Sequence, residues 1–276
     1  MASAGPTRPP IPPFLYGTAW KEERTEALTT LALEAGFRGI DTANQRKHYF
    51  ESGVGSALTA SHVPRSELFL QTKFTFQAGQ DQRLPYDPKA DIATQVKQSF
   101  DSSLEHLGTT YLDSYLLHGP TSRGRLQGPD VRAWRALEAL AAAGRTRFIG
   151  VSNFTLEQLR ELVEMATIRP TFVQNRCYAK VGWDREMRTF CRQNAITYQG
   201  FSLLTANRTE LESSALKKLA TRTGRSTAQL VFRFAIQSGM LPLTGTSSPE
   251  HMQLDLRATE FELDPADASL IERVSA

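Results

Sequence analysis

The chain has 276 residues, 40% of them hydrophobic. That is enough for one large core and close to the ~250 residues of an eight-stranded α/β barrel. Its 32 basic and 29 acidic side chains leave a net charge of +3, and the basic ones are scattered, as in "TSRGRLQ" and "TGRS", which argues against a nucleic-acid-binding stripe. Two cysteines, Cys177 and Cys191, are too few for a disulfide framework, and no apolar run approaches the ~20 residues that span a bilayer.

The first thirteen residues, "MASAGPTRPPIPP", are proline-rich and lack the apolar stretch of a signal peptide. They read as a flexible tail over 1–13, followed by one domain over 14–276 of a cytoplasmic, monomeric protein. Strand-like runs and helical patterns then alternate. "PFLYGTA" precedes a helix over Glu23–Glu34. "FRGIDT" precedes Glu51–Thr59. "LFLQTKF" precedes a helix from about Pro88 to Leu107, with Ile92, Val96, Phe100, Leu104 and Leu107 on one face. "SYLLHG" leads to Asp130–Ala143, "RFIGVSN" to Leu156–Met165, and "FVQNRCY" to Asp184–Gln193. "TYQGFSLL" leads to Thr209–Thr221 and Thr227–Gln237, and "MLPLTGT" to Pro249–Leu256. Eight strand–helix units without an interior linker predict right-handed crossovers, a parallel sheet and closure into a (β/α)8 barrel.

"SGVGSAL" has Gly53 and Gly55 but Leu58 in place of a third glycine, so a Rossmann fingerprint is absent. No "GK[ST]", "HExxH", His-x-His or cysteine pair occurs, and no metal ligands are expected. In a barrel the chemistry sits at the C-terminal ends of the strands. Those ends present Asp41, Lys73, His118, Ser152 with Asn153, Gln174 with Asn175, Phe201 with Ser202, and Thr244 to Ser248. Ser152 and Asn153 also suit a helix N-cap. An acid, an ammonium and an imidazole on three successive strands are hard to explain as structure alone.

"GFRGIDTA…Y…E…VG", "LQTK", "YLDSYLLHGP", "FIGVSNF" and "FVQNRCY" occur in this order, and together they resemble the aldo-keto reductase family from about Gly17 to Asp255. The resemblance implies a (β/α)8 barrel that transfers hydride between a nicotinamide cofactor and a small-molecule carbonyl, with no metal. It implies that Asp41, Lys73 and His118 belong to a catalytic tetrad whose fourth member is a tyrosine in the loop after Asp41. Asp41 pairs with Lys73; the ammonium should lower the tyrosine pKa, and His118 should hydrogen-bond the carbonyl. The cofactor contacts it implies are Gly17, Thr18, Asp41, Ser152, Asn153, Gln174, Phe201, Ser202, Leu204, Thr244, Thr246, Ser247, His251 and Asp255.

Several positions depart from the family pattern. Leu243 and His251 stand where basic contacts to the adenosine 2′-phosphate are expected, with Arg257 and Arg208 as candidate substitutes. This predicts NADPH use with relaxed preference, so that NADH also serves. Gly119 and Phe74 replace pocket tryptophans, and the chain stops soon after its last helix. Trp20, Tyr49, Phe74 and His118, with Phe76 and Trp183, are expected around a wide substrate pocket. The position five after Asp41 is Arg46; the nearest tyrosine is Tyr49, and a backward count falls on His48. A phenol suits lysine-assisted acid chemistry, which favours Tyr49. Two other readings stay open: a catalytically quiet nicotinamide-binding barrel acting as a regulatory or sensor subunit, and a barrel lyase with Lys73 as a Schiff base.

Overall fold

The computed structural model describes residues 9–275. Eight parallel strands close in sequence order into a barrel. They are β1 (Leu15–Gly17), β2 (Gly39–Asp41), β3 (Phe69–Phe74), β4 (Leu112–Leu117), β5 (Thr146–Ser152), β6 (Phe172–Arg176), β7 (Thr197–Phe201) and β8 (Met240–Thr244). The outer layer is α1 (Thr25–Ala35), α2 (Glu51–Ala60), α3 (Ile92–Leu107), α4 (Gly128–Ala142), α5 (Leu156–Met165), α6 (Arg185–Gln193), α7 (Arg208–Leu211), α8 (Ser214–Thr223), α9 (Thr227–Gln237), α10 (Pro249–Leu256) and α11 (Pro265–Glu272). The helix expected over Thr209–Thr221 is thus two helices, because Ser213 caps a new one by accepting from the Leu216 amide. Residues 1–8 of the expected tail lie outside the described residues. Pro9 is buried, and its carbonyl accepts from Arg147 Nη1 at 2.6 Å.

Alternation along the strands separates two cores. Outward side chains such as Phe74, Tyr115 and Val151 join the helices in the larger core. The barrel interior is filled by Leu15, Phe69, Leu116, Phe172, Leu241 and Leu243, with Phe148 and Phe201 beside them. The barrel is tight at Gly150, where a Cβ would lie 2.4 Å from the Phe172 carbonyl oxygen.

Above this apolar plug the interior turns polar. Gln71 and Gln199 exchange amide hydrogen bonds at 2.7 and 2.9 Å, and Ser114 Oγ donates to Gln71 Oε1 at 2.8 Å. All three are fully buried. Asp41 and Lys73 stand on this polar layer, at the C-terminal ends of β2 and β3.

Candidate active site

Lys73 is wholly buried, and its Nζ lies 2.8 Å from each of Asp41 Oδ1, Asp41 Oδ2 and the Thr42 carbonyl. Asp41 Oδ1 also accepts from Gln71 Nε2 at 2.7 Å and Gln174 Nε2 at 3.0 Å. Two opposite charges out of water persist only when paired and hydrogen-bonded like this. Burial pushes the Lys73 pKa down, and Asp41 partly restores it.

Tyr49 reaches the same place from the loop between β2 and α2. Lys73 Nζ lies 5.2 Å from its ring centroid, and the His118 ring stands edge-on at 5.7 Å. The phenol pKa is raised, first by burial and then by Asp41. This reverses the expectation that the ammonium lowers it: Lys73 is neutralised at close range by Asp41, and desolvation dominates. His48 stacks on Trp20, with ring centroids 3.7 Å apart.

His118 accepts no charge here. Burial, then Lys73 and His48, push its pKa down to about 3. Its Nδ1 lies 2.7 Å from Thr75 Oγ1, and its carbonyl accepts from Asn153 Nδ2 at 2.8 Å. Thr75 was not singled out by the sequence. Its place follows from alternation: Lys73 and Thr75 face inward, so Phe74 between them faces out. Phe74, expected at the pocket, is instead wholly buried against Phe76 and Tyr86. Trp183, expected at the mouth, is buried between α9 and α11, against Phe234 and with Nε1 donating to the Ile271 carbonyl.

A cavity of about 400 Å³ opens over this group. It is lined by Gly17, Trp20, Asp41, Tyr49, His118, Ser152, Asn153, Gln174, Phe201, Ser202, Leu204, Thr244 and Thr246, with Ala19, Leu203, Thr205, Phe232, Leu243 and Gly245. Among the described residues none beyond Thr246 lines it. Trp20, Asn153 and Ser202 hold positive φ angles of 62°, 59° and 57° at its rim. Non-glycine residues in that region are strained and tend to occur where a side chain must be aimed; four further examples (Glu22, Trp183, Asp184 and Ala195) are not cavity-lining.

The remaining predicted residues fall around the cavity rather than in it. Thr18 is wholly buried and donates to the Asp41 carbonyl at 3.1 Å. Ser247 and His251 are exposed at the start of α10, which Ser248 caps. Asp255 is buried and accepts from Thr244 Oγ1 at 2.7 Å; burial raises its pKa to about 6 against that bond. Ser152 and Asn153 are not the cap of α5; Thr155 is, in a reciprocal pair with Gln158. Ser152 Oγ donates to the Gln174 carbonyl at 2.8 Å, and Asn153 Nδ2 also reaches Ser152 Oγ at 3.1 Å. Asn175 is taken up by two bonds to the Phe154 backbone.

Lys21 escaped the sequence reading. Its side chain is buried, its Nζ donates to the Gly245 carbonyl at 2.7 Å, and it lies over the Tyr16 ring at 5.1 Å. Burial, with Arg24 adding to it, pushes its pKa down to about 8. It is thus a cation held under the loop after β8, where Leu243 and His251 supply none. Arg257 is exposed and pairs with Glu260, and Arg208 is exposed on α7; neither lines the cavity.

Comparison with known proteins gives this arrangement a family. The model of the Aldo/keto reductase family matches residues 15–276. The chain is 31% identical to an NAD/NADP-dependent indole-3-acetaldehyde reductase of Schizosaccharomyces pombe, over 97% of this chain and 92% of that one. It is 31% identical to a glyoxal reductase of Bacillus subtilis, over 96% and 89%. The crystal structure of an aldo-keto reductase from a deep-sea metagenome superposes with a TM-score of 0.84 at 26% identity, over 96% of this chain and 92% of that one. The chain belongs to the aldo/keto reductase family.

Proposed function

We propose that this protein transfers a hydride from NADPH to an aldehyde or ketone carbonyl, with Tyr49 as proton donor and without a metal. The observation that carries the reading is one shared cavity holding a phenol and a neutral imidazole above a buried, carboxylate-held ammonium. The nicotinamide supplies the hydride when bound. Everything else falls to the chain. As hydride arrives the carbonyl oxygen becomes an alkoxide, and nearby donors stabilise the charge as it develops. Tyr49, whose raised pKa keeps it protonated at neutral pH, gives up its proton to that oxygen. Lys73, 5.2 Å from the ring centroid, offsets the phenolate left behind. His118, with Thr75 on Nδ1, uses Nε2–H to hold the carbonyl oxygen in place.

The residues fit the cofactor. Ser152, with its hydroxyl, and Asn153 and Gln174, with their side-chain amides, line the cavity together and suit a carboxamide, and Phe201 lies beside them. Gln174 Nε2 is already spent on Asp41 and Gln199, which fixes the orientation of its Oε1. Lys21, below Gly245, is the cation we assign to the cofactor's phosphates, and the hydroxyls of Thr244, Thr246 and Ser247 surround that loop. With one buried cation in place of two exposed ones, NADPH is preferred weakly and NADH is accepted.

The acceptor is an aldehyde before a ketone, because the relatives named above reduce aldehydes, and the open rim suits bulky ones. Gly119 leaves the wall beside Asn153 thin, and Trp20, 69% exposed, forms a flat edge. Turnover of 4-nitrobenzaldehyde with NADPH and with NADH tests the proposal. Cofactor binding without turnover indicates a quiet, sensor-type barrel, and strong NADH preference refutes the cofactor assignment.

A further inference from the structure

Tyr49 forms a wall of two cavities. Besides the rim cavity, a space of about 340 Å³ lies behind the loop that carries it, lined also by Glu51, Arg46, Arg83 and His106. Open space rather than packed core therefore backs this loop, and tethers must set its position. At the upstream end Asn44 Nδ2 is held by the Ser99 carbonyl, Ser102 Oγ and Ser103 Oγ. Beside Tyr49 the His48 carbonyl accepts from the Trp20 amide at 2.7 Å, and at the downstream end the side-chain tether is Glu51.

Glu51 opens α2, two residues after Tyr49, and is 4% exposed. Its Oε1 accepts from Thr72 Oγ1 at 2.5 Å and Ser103 Oγ at 3.0 Å. Its Oε2 lies 3.2 Å from Ser103 Oγ and 3.1 Å from His106 Nδ1. A carboxylate so buried persists only with such partners. Gly55, one turn further along α2, makes the arrangement possible: a Cβ there would lie 2.0 Å from the His106 carbonyl oxygen, so only glycine lets α2 come this close to α3. Thr72 is the residue before Lys73, and the two side chains leave β3 on opposite faces. A bond from Glu51 to Thr72 outside the barrel therefore fixes the same two pieces of chain that bring Tyr49 to Lys73 inside it.

We propose that Glu51 is a positioning residue that sets the distance between Tyr49 and Lys73 through its grip on Thr72. It rests on the reading of Tyr49 as proton donor. A misplacement of the donor by about 1 Å is enough to cost ~100-fold in rate. A purely structural role, such as an acid favouring the start of α2, would lower the melting temperature and leave turnover of the folded protein intact.

The test compares the unsubstituted chain with Glu51→Ala, Glu51→Gln and Thr72→Val, measuring kcat on 4-nitrobenzaldehyde and NADPH Kd by fluorescence quenching. In Glu51→Ala, kcat falls by roughly 30-fold while Kd stays within about twofold. Glu51→Gln, which still accepts from Thr72 and Ser103, recovers to within about threefold. Thr72→Val shows the same split at roughly fivefold, and carries the test alone should Glu51→Ala not fold. Unchanged kcat in Thr72→Val, or kcat and Kd worsening together, overturns the assignment while leaving the reductase reading in place. An unsubstituted chain that binds NADPH but turns nothing over overturns that reading and this inference with it.

Discussion

Asp41→Asn isolates the charge on which the site is built. The substitution keeps the shape and leaves Lys73 Nζ, wholly buried, with two neutral acceptors, the Asn oxygen and the Thr42 carbonyl. Removing one partner of a buried pair costs about 3–5 kcal/mol. The cost has a ceiling, because the lysine can lose its proton instead. Bringing an ammonium from its ordinary pKa of 10.5 down to neutrality costs about 1.4 kcal/mol per unit, or about 5 kcal/mol in all. In a protein of this size such a loss lowers the melting temperature by about 10 °C.

Two further signatures follow. Lys73 already has a lowered pKa in the intact pair, so without Asp41 it titrates lower still. A base whose folded pKa lies below its unfolded one makes stability rise with pH between the two values. The Asp41→Asn deficit therefore shrinks as pH rises between the folded pKa of Lys73 in the variant and its higher folded pKa in the intact pair, by up to about 1.4 kcal/mol for each pH unit, and is constant outside that window. The second signature is rescue: Asp41→Asn with Lys73→Met leaves no charge at this pair and recovers most of the loss. Urea unfolding of the two single variants and the double variant, at three pH values, reads all of this. A deficit under about 1 kcal/mol, or a double variant no better than Asp41→Asn, refutes the account of the pair as a mutually dependent unit.

Three other outcomes are expected. Tyr49→Phe lowers kcat by about 100-fold or more with NADPH affinity retained, whereas His48→Ala, which removes only the ring stacked on Trp20, stays within about threefold; the opposite pattern transfers the donor role to His48. Lys21→Met weakens NADPH binding by about tenfold, and in the unsubstituted chain NADPH Kd rises as pH climbs through about 8, because an anion raises the pKa of a lysine that starts there; a flat Kd, seen by isothermal calorimetry, excludes the contact. Gly150→Ala, whose Cβ would meet the Phe172 carbonyl, fails to give soluble folded protein or loses more than about 3 kcal/mol in urea.

The barrel could be read from the sequence because each strand is a short apolar run that ends in polar residues before a helical period begins. Asp41, Lys73 and His118 were legible for the same reason: a charge at the end of such a run has nowhere to go but the rim. What failed was the face of single residues. "LQTKF" gives Lys73 and Phe74 in succession, and strand alternation puts them on opposite sides, so the residue that reaches His118 is Thr75, not Phe74. Trp183 lies in a loop with no period to assign its face, and only the contacts of α9 and α11 show it buried. Lys21 looked like one of many exposed cations; its burial depends on a carbonyl 224 residues away. The "SGVGSAL" glycines, dismissed as a phosphate loop, have their reason at Gly55, in a helix contact that no local pattern encodes.

Gln71, Ser114 and Gln199 were equally out of reach, and they bear most on how the site is held. Read along β3, Gln71 is two residues before Lys73 and so on its face, but its partners come from β2, β4 and β7 and meet it only when the barrel closes. Their amides are not interchangeable in orientation. Gln71 and Gln174 both turn NH2 groups to Asp41 Oδ1 and to Gln199 Oε1, while Gln71 Oε1 is occupied by Ser114 and Gln199. Flipping Gln71 or Gln174 would aim an oxygen at the carboxylate, and flipping Gln199 would set its NH2 against theirs; each leaves a buried donor without a partner, at about 1–3 kcal/mol. The layer is therefore polarised, with its donors towards Asp41, where a barrel core ordinarily has branched aliphatic side chains. A carboxylate fixed from below by two amides cannot swing towards solvent, and Lys73, bound to both of its oxygens, is fixed in turn. Thus the ammonium under Tyr49 is placed from two sides: through Asp41 by amides that reach across the barrel from β6 and β7, and directly by the Thr42 carbonyl, where the loop that carries the phenol begins.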